Sequence, residues 1–298
     1  MLKKITPAFK FPSLLRILPP LLTGMAMGYG NSSVLHWDII TLTLLYAWLI
    51  QLFIVLLNDY ADRDADLIHY QNYPHLLDRR VLVMKTVSPG LILILGMSAA
   101  VLLAGISFFM QIYVQRARAL FITGLSLCCF LFYSFPPLKL NYRGLGELLE
   151  TTGVGFLLPV TGYYFYTGNF ALNDFIIIPV IMTAAANALA SGLKHRPADK
   201  LTGKKTIAVL CGEQTTKNII LLLLSILVCY NTVLIFYTDL GLIYLLAGVI
   251  IPAGLTFKMF TLNKKAGVNN LQALKKYKKA LTCIMLSICS GLVLQIIC

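Results

Sequence analysis

Charge is what this chain has least of. Aspartate and glutamate together number 12 in 298 residues, and all charged side chains make up 12% of the sequence against 58% hydrophobic. A soluble domain of this length carries about twice that share of charge, so a soluble globular fold is excluded. The mean hydropathy of +0.79 places nearly all of the chain in a bilayer, as an all-α polytopic membrane protein. Paired cysteine spacing is also lacking. The seven cysteines, at 128, 129, 211, 229, 283, 289 and 298, fall in or beside apolar runs. That excludes a zinc module or a disulfide framework and leaves small membrane-buried thiols. Acidic residues are missing from mid-span depth, and no pair of interrupted helices stands out, which argues against a transporter's midplane site.

What is present is apolar sequence in long runs. Windows of about 19 residues predict nine spans, at 12–30, 38–58, 88–108, 117–135, 145–166, 172–192, 218–237, 239–260 and 280–298. Lys3 and Lys4 precede the first, which reads as an uncleaved span and not a signal peptide, because many spans follow it. The net charge of +13 does not imply nucleic acid, since the basic residues sit between spans. Of the 25, only Arg116 and Arg118 fall on the side away from the N-terminus. The positive-inside rule then predicts a cytoplasmic N-terminus and an external C-terminus, which an odd number of spans requires. The lysines at 264, 265, 275, 276, 278 and 279 read as an anionic-lipid contact. Gly24 and Gly28 form a small-xxx-small packing pattern. Gly162-Tyr163-Tyr164-Phe165-Tyr166 reads as an interfacial aromatic belt on the external side.

Against the second apolar run stands Asn58-Asp59-Tyr60-Ala61-Asp62-Arg63-Asp64-Ala65-Asp66, which holds four of the 12 acidic residues. On a helix Asn58, Asp62 and Asp66 share one face, with Asp59 close to the same stripe. Hard oxygen donors so arranged suit Mg²⁺, which keeps several waters and shares a substrate phosphate. The competing interpretation is a solvated helix end.

Two further segments converge on the cytoplasmic side. Tyr133-Ser-Phe-Pro-Pro-Leu-Lys139-Leu-Asn-Tyr-Arg143-Gly-Leu-Gly-Glu147 ends the fourth span, where Lys139 and Arg143 either hold a phosphate or simply snorkel. The long connection from Lys194 to Lys217 sets Asp199 among Lys194, His195, Arg196, Lys200, Lys204 and Lys205. Carboxylates and cations beside an apolar bundle describe a site for a metal-bound polyanion with a long tail. A lipid diphosphate has both parts. Departure of diphosphate from an allylic chain leaves a carbocation, which an aromatic-lined, dry cavity would shelter until an electron-rich acceptor attacks.

These residues resemble the UbiA superfamily of membrane prenyltransferases. The superfamily's first motif, Asn-Asp-x-x-Asp-x-x-x-Asp, stands here as Asn58, Asp59, Asp62 and Asp66. The run Tyr-Ser-x-Pro-Pro-Leu-Lys-Leu before Arg-Gly-Leu-Gly-Glu, at 133–147, is similar, as is Gly-Lys-Lys-Thr-Ile-Ala-Val-Leu-Cys-Gly at 203–212. The resemblance implies one domain over 1–298, with nine helices ringing a central cavity and two acidic motifs facing each other across its mouth. It also implies Mg²⁺-dependent transfer of a polyprenyl group from its diphosphate to a small aromatic acceptor, in a bacterial inner membrane. Asn58, Asp62, Asp66 and Asp199 would hold the metal and diphosphate, with Asp59 and His195 as further candidate ligands. Arg63, Lys139 and Lys194 would meet diphosphate oxygens, and Tyr133 would line the reaction chamber. Arg-Gly-Leu-Gly-Glu and Gly-Lys-Lys-Thr-Ile-Ala-Val look most like the menaquinone branch, which prenylates 1,4-dihydroxy-2-naphthoate. Asn-Asp-Tyr-Ala-Asp-Arg looks more like the ubiquinone branch, which uses 4-hydroxybenzoate.

The chain departs from the family in its second motif, usually Asp-x-x-x-Asp. Asp199 matches the second position, but His195 stands at the first, with Pro197 between them. An active variant is the favoured expectation; a degenerate isoprenoid-binding member and a membrane transporter are the alternatives.

Overall fold

The computed structural model describes residues 6–74, 81–171, 174–238 and 240–297, and the regular elements among them are helices. In chain order these are α1 (Leu14–Ser32), α2 (Trp37–Ala61), α3 (Arg63–Asn72), α4 (Pro89–Tyr113) and α5 (Ala119–Ser134), then α6 (Gly146–Thr151) and α7 (Leu158–Thr167). They are followed by α8 (Asp174–Leu201), α9 (Ile207–Cys211), α10 (Glu213–Tyr237), α11 (Leu242–Tyr244), α12 (Ile251–Leu262) and α13 (Leu271–Ile297). Among the described residues, six helical stretches are long and apolar enough to cross a membrane: Trp37–Ala61, Pro89–Tyr113, Phe175–Leu201, Glu213–Tyr237, Leu242–Leu262 and Leu271–Ile297. The protein is thus a polytopic, all-helical membrane protein. Ala119–Ser134 is apolar but shorter.

Local chemistry sets several boundaries. The Ser88 hydroxyl accepts from the Leu91 amide and Pro89 opens α4, a favoured helix start. Gly168, at φ 78°, ends α7 in the left-handed conformation that glycine adopts without strain. Two stretches, Thr152–Leu157 and Leu245–Ile250, are wound as π turns. Each leads into a helix with proline at its second residue, Pro159 in α7 and Pro252 in α12. A proline removes one donor from the ladder, and a widened turn upstream is one way to accommodate the loss.

The buried side chains fall into two large clusters. One gathers Leu21, Tyr46, Phe53, Leu103, Phe130 and Phe165 from the first half of the chain. The other gathers Val180, Leu193, Leu224, Tyr244, Tyr277 and Ile288 from the second. Helix α1 bridges them, packing on both α7 and α13. Its glycines act as their spacing predicts. A methyl group on Gly24 would overlap the Pro159 carbonyl, and one on Gly162 of α7 would overlap the Leu21 carbonyl, so the two backbones touch directly.

Three expectations change. The segment from Lys194 is not a loop: α8 continues through Pro197 to Leu201, so His195 and Asp199 project from a helix. Helix α13 starts at Leu271, which puts Lys275, Lys276, Lys278 and Lys279 on its first turns. The tyrosines of α7 are not an outward-facing belt; Tyr163, Tyr164 and Tyr166 are all buried. The Tyr163 hydroxyl accepts from Asn31 Nδ2 at 2.8 Å and donates to the Ala171 carbonyl at 2.7 Å. The Tyr164 hydroxyl accepts from the Arg118 amide, and that of Tyr166 donates to the Val34 carbonyl. A phenol that finds loop partners inside the protein needs no interfacial water. Arg116 belongs to the same arrangement, donating to the carbonyls of Phe165 at 2.8 Å and Tyr166 at 2.7 Å near the C-terminus of α7.

Candidate active site

A cavity of ≈ 370 Å³ lies where α2, α3, α5, α6 and α8 meet. Its apolar wall includes Ile50, Ile54, Val55, Val154 and Leu158, and its polar wall includes Asn58, Asp62, Asp66 and Asp199. Phe130 and Tyr133 also line it, with rings 6.5 Å apart and an interplanar angle of 21°.

The acidic stripe survives a break in its helix. Asp62 ends α2 at φ −94° and ψ 4°, and α3 begins at the next residue. The Asp62 amide still bonds the Asn58 carbonyl at 2.9 Å, and the Asp66 amide bonds the Asp62 carbonyl at 2.8 Å. The four-residue register is therefore kept, and Asn58, Asp62 and Asp66 share the cavity wall.

Asp62 is the centre of the polar wall. Its Oδ2 accepts from Lys204 Nζ at 2.8 Å and from Asn58 Nδ2 at 3.2 Å. Its Oδ1 is buried with no hydrogen-bond partner. Lys204 lies 5.3 Å from the Tyr142 ring centroid, and Lys139 lies 4.0 Å from the same ring. Desolvation acts to lower the Lys204 pKa, but Asp62, Tyr142 and Asp199 outweigh it and hold the ammonium above the ordinary lysine value. Burial pushes the Tyr142 phenol up to about 12, against the opposing pull of Lys204.

The donor set fits a hard divalent cation. It is made of carboxylate and amide oxygens, and one carboxylate oxygen is buried without a partner, an arrangement that costs free energy unless a ligand completes it. Among the described residues no three acidic, imidazole or thiol groups close a metal site by themselves. That leaves coordination positions for water and for phosphate oxygens, as Mg²⁺ sites usually do.

The predicted residues divide as follows. Asn58, Asp62, Asp66, Asp199, Tyr133 and His195 line the cavity, whereas Arg63, Lys139, Lys194 and Asp59 do not. Arg63 lies 4.7 Å from the Tyr60 ring centroid and 3.6 Å from the Asp64 carboxylate. Asp59 is buried and bonds Lys10 Nζ at 2.5 Å, which ties the N-terminal segment to α2. The cations on the wall are Lys10, Arg16 and Lys204. His69, Glu147 and Glu150 are on it too. Glu147 Oε1 accepts the Ile207 amide at 2.7 Å, joining α6 to the start of α9. Glu150 lies 3.9 Å from Arg16. Proximity of Lys204 to Asp199 in sequence, and the three-residue spacings Asp66/His69 and Glu147/Glu150, were the available signals for Lys204, His69, Glu147 and Glu150.

Known proteins resemble this chain in sequence and in fold. The model of the UbiA prenyltransferase family matches residues 17–278. Over 222 residues the chain is 27% identical to a 2-carboxy-1,4-naphthoquinone phytyltransferase of Synechocystis sp., covering 72% of this chain and 68% of that protein. Among solved structures, a UbiA homologue from Aeropyrum pernix superposes with a TM-score of 0.72 at 15% identity, covering 95% of this chain and 98% of the other. A UbiA homologue from Archaeoglobus fulgidus bound to DMAPP and Mg²⁺ gives 0.69 at 15% identity, covering 97% and 99%.

Proposed function

The chain belongs to the UbiA prenyltransferase family, and from that premise we propose that it transfers a polyprenyl group to a small, electron-rich bicyclic aromatic acceptor on the way to a quinone. It is a prenyltransferase by family. The observation that carries the finer reading is the Asp62 carboxylate, with one unpartnered oxygen and one held by Lys204, facing an apolar cavity with an aromatic wall.

In this reading Asn58, Asp62, Asp66 and Asp199 would hold Mg²⁺ with the diphosphate. Bound Mg²⁺ supplies the countercharge that makes diphosphate a leaving group. Lys204, Lys10 and Arg16 take diphosphate oxygens, in place of Arg63, Lys139 and Lys194, which lie off the wall. The prenyl tail lies along Ile50, Ile54, Val55, Val154 and Leu158. The allylic C–O bond breaks with its electron pair leaving on diphosphate. Phe130 and Tyr133, which line the cavity, would stabilise the cationic carbon through their π electrons. The acceptor ring carbon then forms the new C–C bond and sheds its proton or carboxyl group. No protein nucleophile is needed.

The same proposal treats 1–298 as one domain with nine crossings around the cavity, in a bacterial inner membrane, N-terminus cytoplasmic and C-terminus outside. Six apolar helices support the membrane placement, and the distribution of lysine and arginine is what argues for the orientation. The test is product formation by the purified full chain in detergent, with geranyl or longer diphosphates and a panel of acceptors including 1,4-dihydroxy-2-naphthoate and 4-hydroxybenzoate. A prenylated product that disappears with EDTA is expected. Diphosphate binding without product from any acceptor would instead favour an isoprenoid-binding role, which His195 in place of the usual carboxylate keeps in view.

A further inference from the structure

Helix α3 packs against α8, and each brings one carboxylate and one imidazole to the cavity wall. Asp66 and His69 are three residues apart on α3, and His195 and Asp199 are four apart on α8, so each pair shares a helix face. His69, although only three residues from the end of its helix, is buried. The His69 and His195 rings meet with centroids 5.2 Å apart and an interplanar angle of 89°. Two imidazoles that bind one ion through nitrogens ~2.1 Å from it have centroids about 4.5–5.2 Å apart at ordinary coordination angles. The observed separation falls at the edge of that range. The buried unpartnered oxygen of Asp62 independently marks a polar ligand position in the same cavity.

We propose that His69 and His195 together form a nitrogen-donor position for a divalent metal ion beside the carboxylates, and that this chain has exchanged part of a carboxylate site for an imidazole pair. The proposal rests on the metal–diphosphate reading above. Imidazole favours first-row transition ions, whereas Mg²⁺ favours oxygen, and affinity at a mixed site rises from Mn²⁺ through Co²⁺. The site therefore binds Mn²⁺ or Co²⁺ in preference to Mg²⁺. His195 is thereby a recruited ligand and not a lost one, and His69 is its partner from the other acidic motif.

Pulsed electron paramagnetic resonance tests this on the purified full chain in detergent with Mn²⁺ and inorganic diphosphate. Protein grown with natural histidine should show ¹⁴N modulation on the bound Mn²⁺, and protein grown with ¹⁵N-histidine should show the ¹⁵N pattern instead. His69→Gln and His195→Gln should each weaken Mn²⁺ binding by about 10-fold or more, and His195→Asp should shift the Mn²⁺/Mg²⁺ affinity ratio toward Mg²⁺. Mn²⁺ that binds with diphosphate but shows no histidine coupling would overturn the imidazole proposal and leave the diphosphate reading standing. Absence of Mn²⁺ binding even with diphosphate would overturn both. The labelling arm uses the unaltered chain, so a variant that fails to fold does not decide the matter.

Discussion

Lys204→Met is the substitution that probes the site most directly. In the resting protein the Lys204 ammonium is 2.8 Å from Asp62 Oδ2, with side-chain exposures of 15% and 7%. Truncating one partner of such a pair strands the other charge, at about 3–5 kcal/mol. At roughly 2–4 °C per kcal/mol for a chain of this size, the apparent melting temperature in detergent falls by about 6 °C or more. Because the raised pKa of Lys204 keeps the pair intact below the ordinary lysine value, the gap between the two proteins stays constant from about pH 6 to about pH 9. It closes only as pH rises through the folded-state value. Lys204→Met/Asp62→Asn recovers most of the loss, since a neutral amide needs no countercharge. Magnesium gives the sharper readout. Lys204 competes with the metal for Asp62, and a charge-assisted hydrogen bond worth ~1.5–3 kcal/mol corresponds to about 10–150-fold. Mg²⁺ alone should therefore bind Lys204→Met that much more tightly than the unaltered chain, by calorimetry, while diphosphate binds more weakly. Equal Mg²⁺ affinities in the two proteins would refute the competition and with it the placement of the metal on Asp62.

Asp62→Asn should reduce prenyl transfer by about 100-fold or more with membrane insertion unchanged, measured by product formation and membrane fractionation; full activity would remove Asp62 from the site. Gly24→Ala should destabilise the protein by about 1–3 kcal/mol, because the added methyl meets the Pro159 backbone carbonyl. Gly105→Ala, where nothing lies within 4 Å, should leave the melting temperature unchanged or slightly higher. Lys217→Met should lower stability by about 3 kcal/mol, since the buried ammonium bonds the Ala266 carbonyl at 2.5 Å and Glu213 at 3.3 Å; turnover per folded molecule should not change, because Lys217 is not on the cavity wall.

The parts of the site written at fixed helical spacing were legible in the sequence. Asn58, Asp62 and Asp66 share a face because helices repeat, and the break at Asp62 preserves that repeat. Lys204 could be placed among the cations near Asp199, but not assigned to Asp62, a residue 142 positions away, because the turn after α8 decides where it reaches. Arg63 and Lys139 carry the right charge beside the right motifs, yet local aromatic rings hold them off the wall: Tyr60 for one and Tyr142 for the other. The tyrosines of α7 have the composition of a lipid-facing belt. Their burial depends on loop carbonyls and amides that hydropathy does not register. His69 sits among Leu67, Ile68 and Tyr70, which are exposed, and is itself buried where α3 packs on α8, a contact that local sequence does not encode.

The resting electrostatics also bear on why a protein with 12 acidic residues places so many together. Lys10 neutralises Asp59 and Lys204 neutralises Asp62, so the cluster carries its own countercharges before any ligand arrives. This permits the acidic stripe to sit against a 25-residue apolar helix, where bare carboxylates would be strongly disfavoured. Under the proposed function, binding is then an exchange of partners. The carboxylate oxygens would hold the metal, and Lys204, released from Asp62, would meet the phosphate oxygens that arrive with it. Neither metal nor diphosphate alone completes the exchange, because each leaves one displaced charge in a poorly solvated site. The Mg²⁺ and diphosphate titrations of Lys204→Met separate these halves, and opposite signs for the two ligands are what an exchange requires.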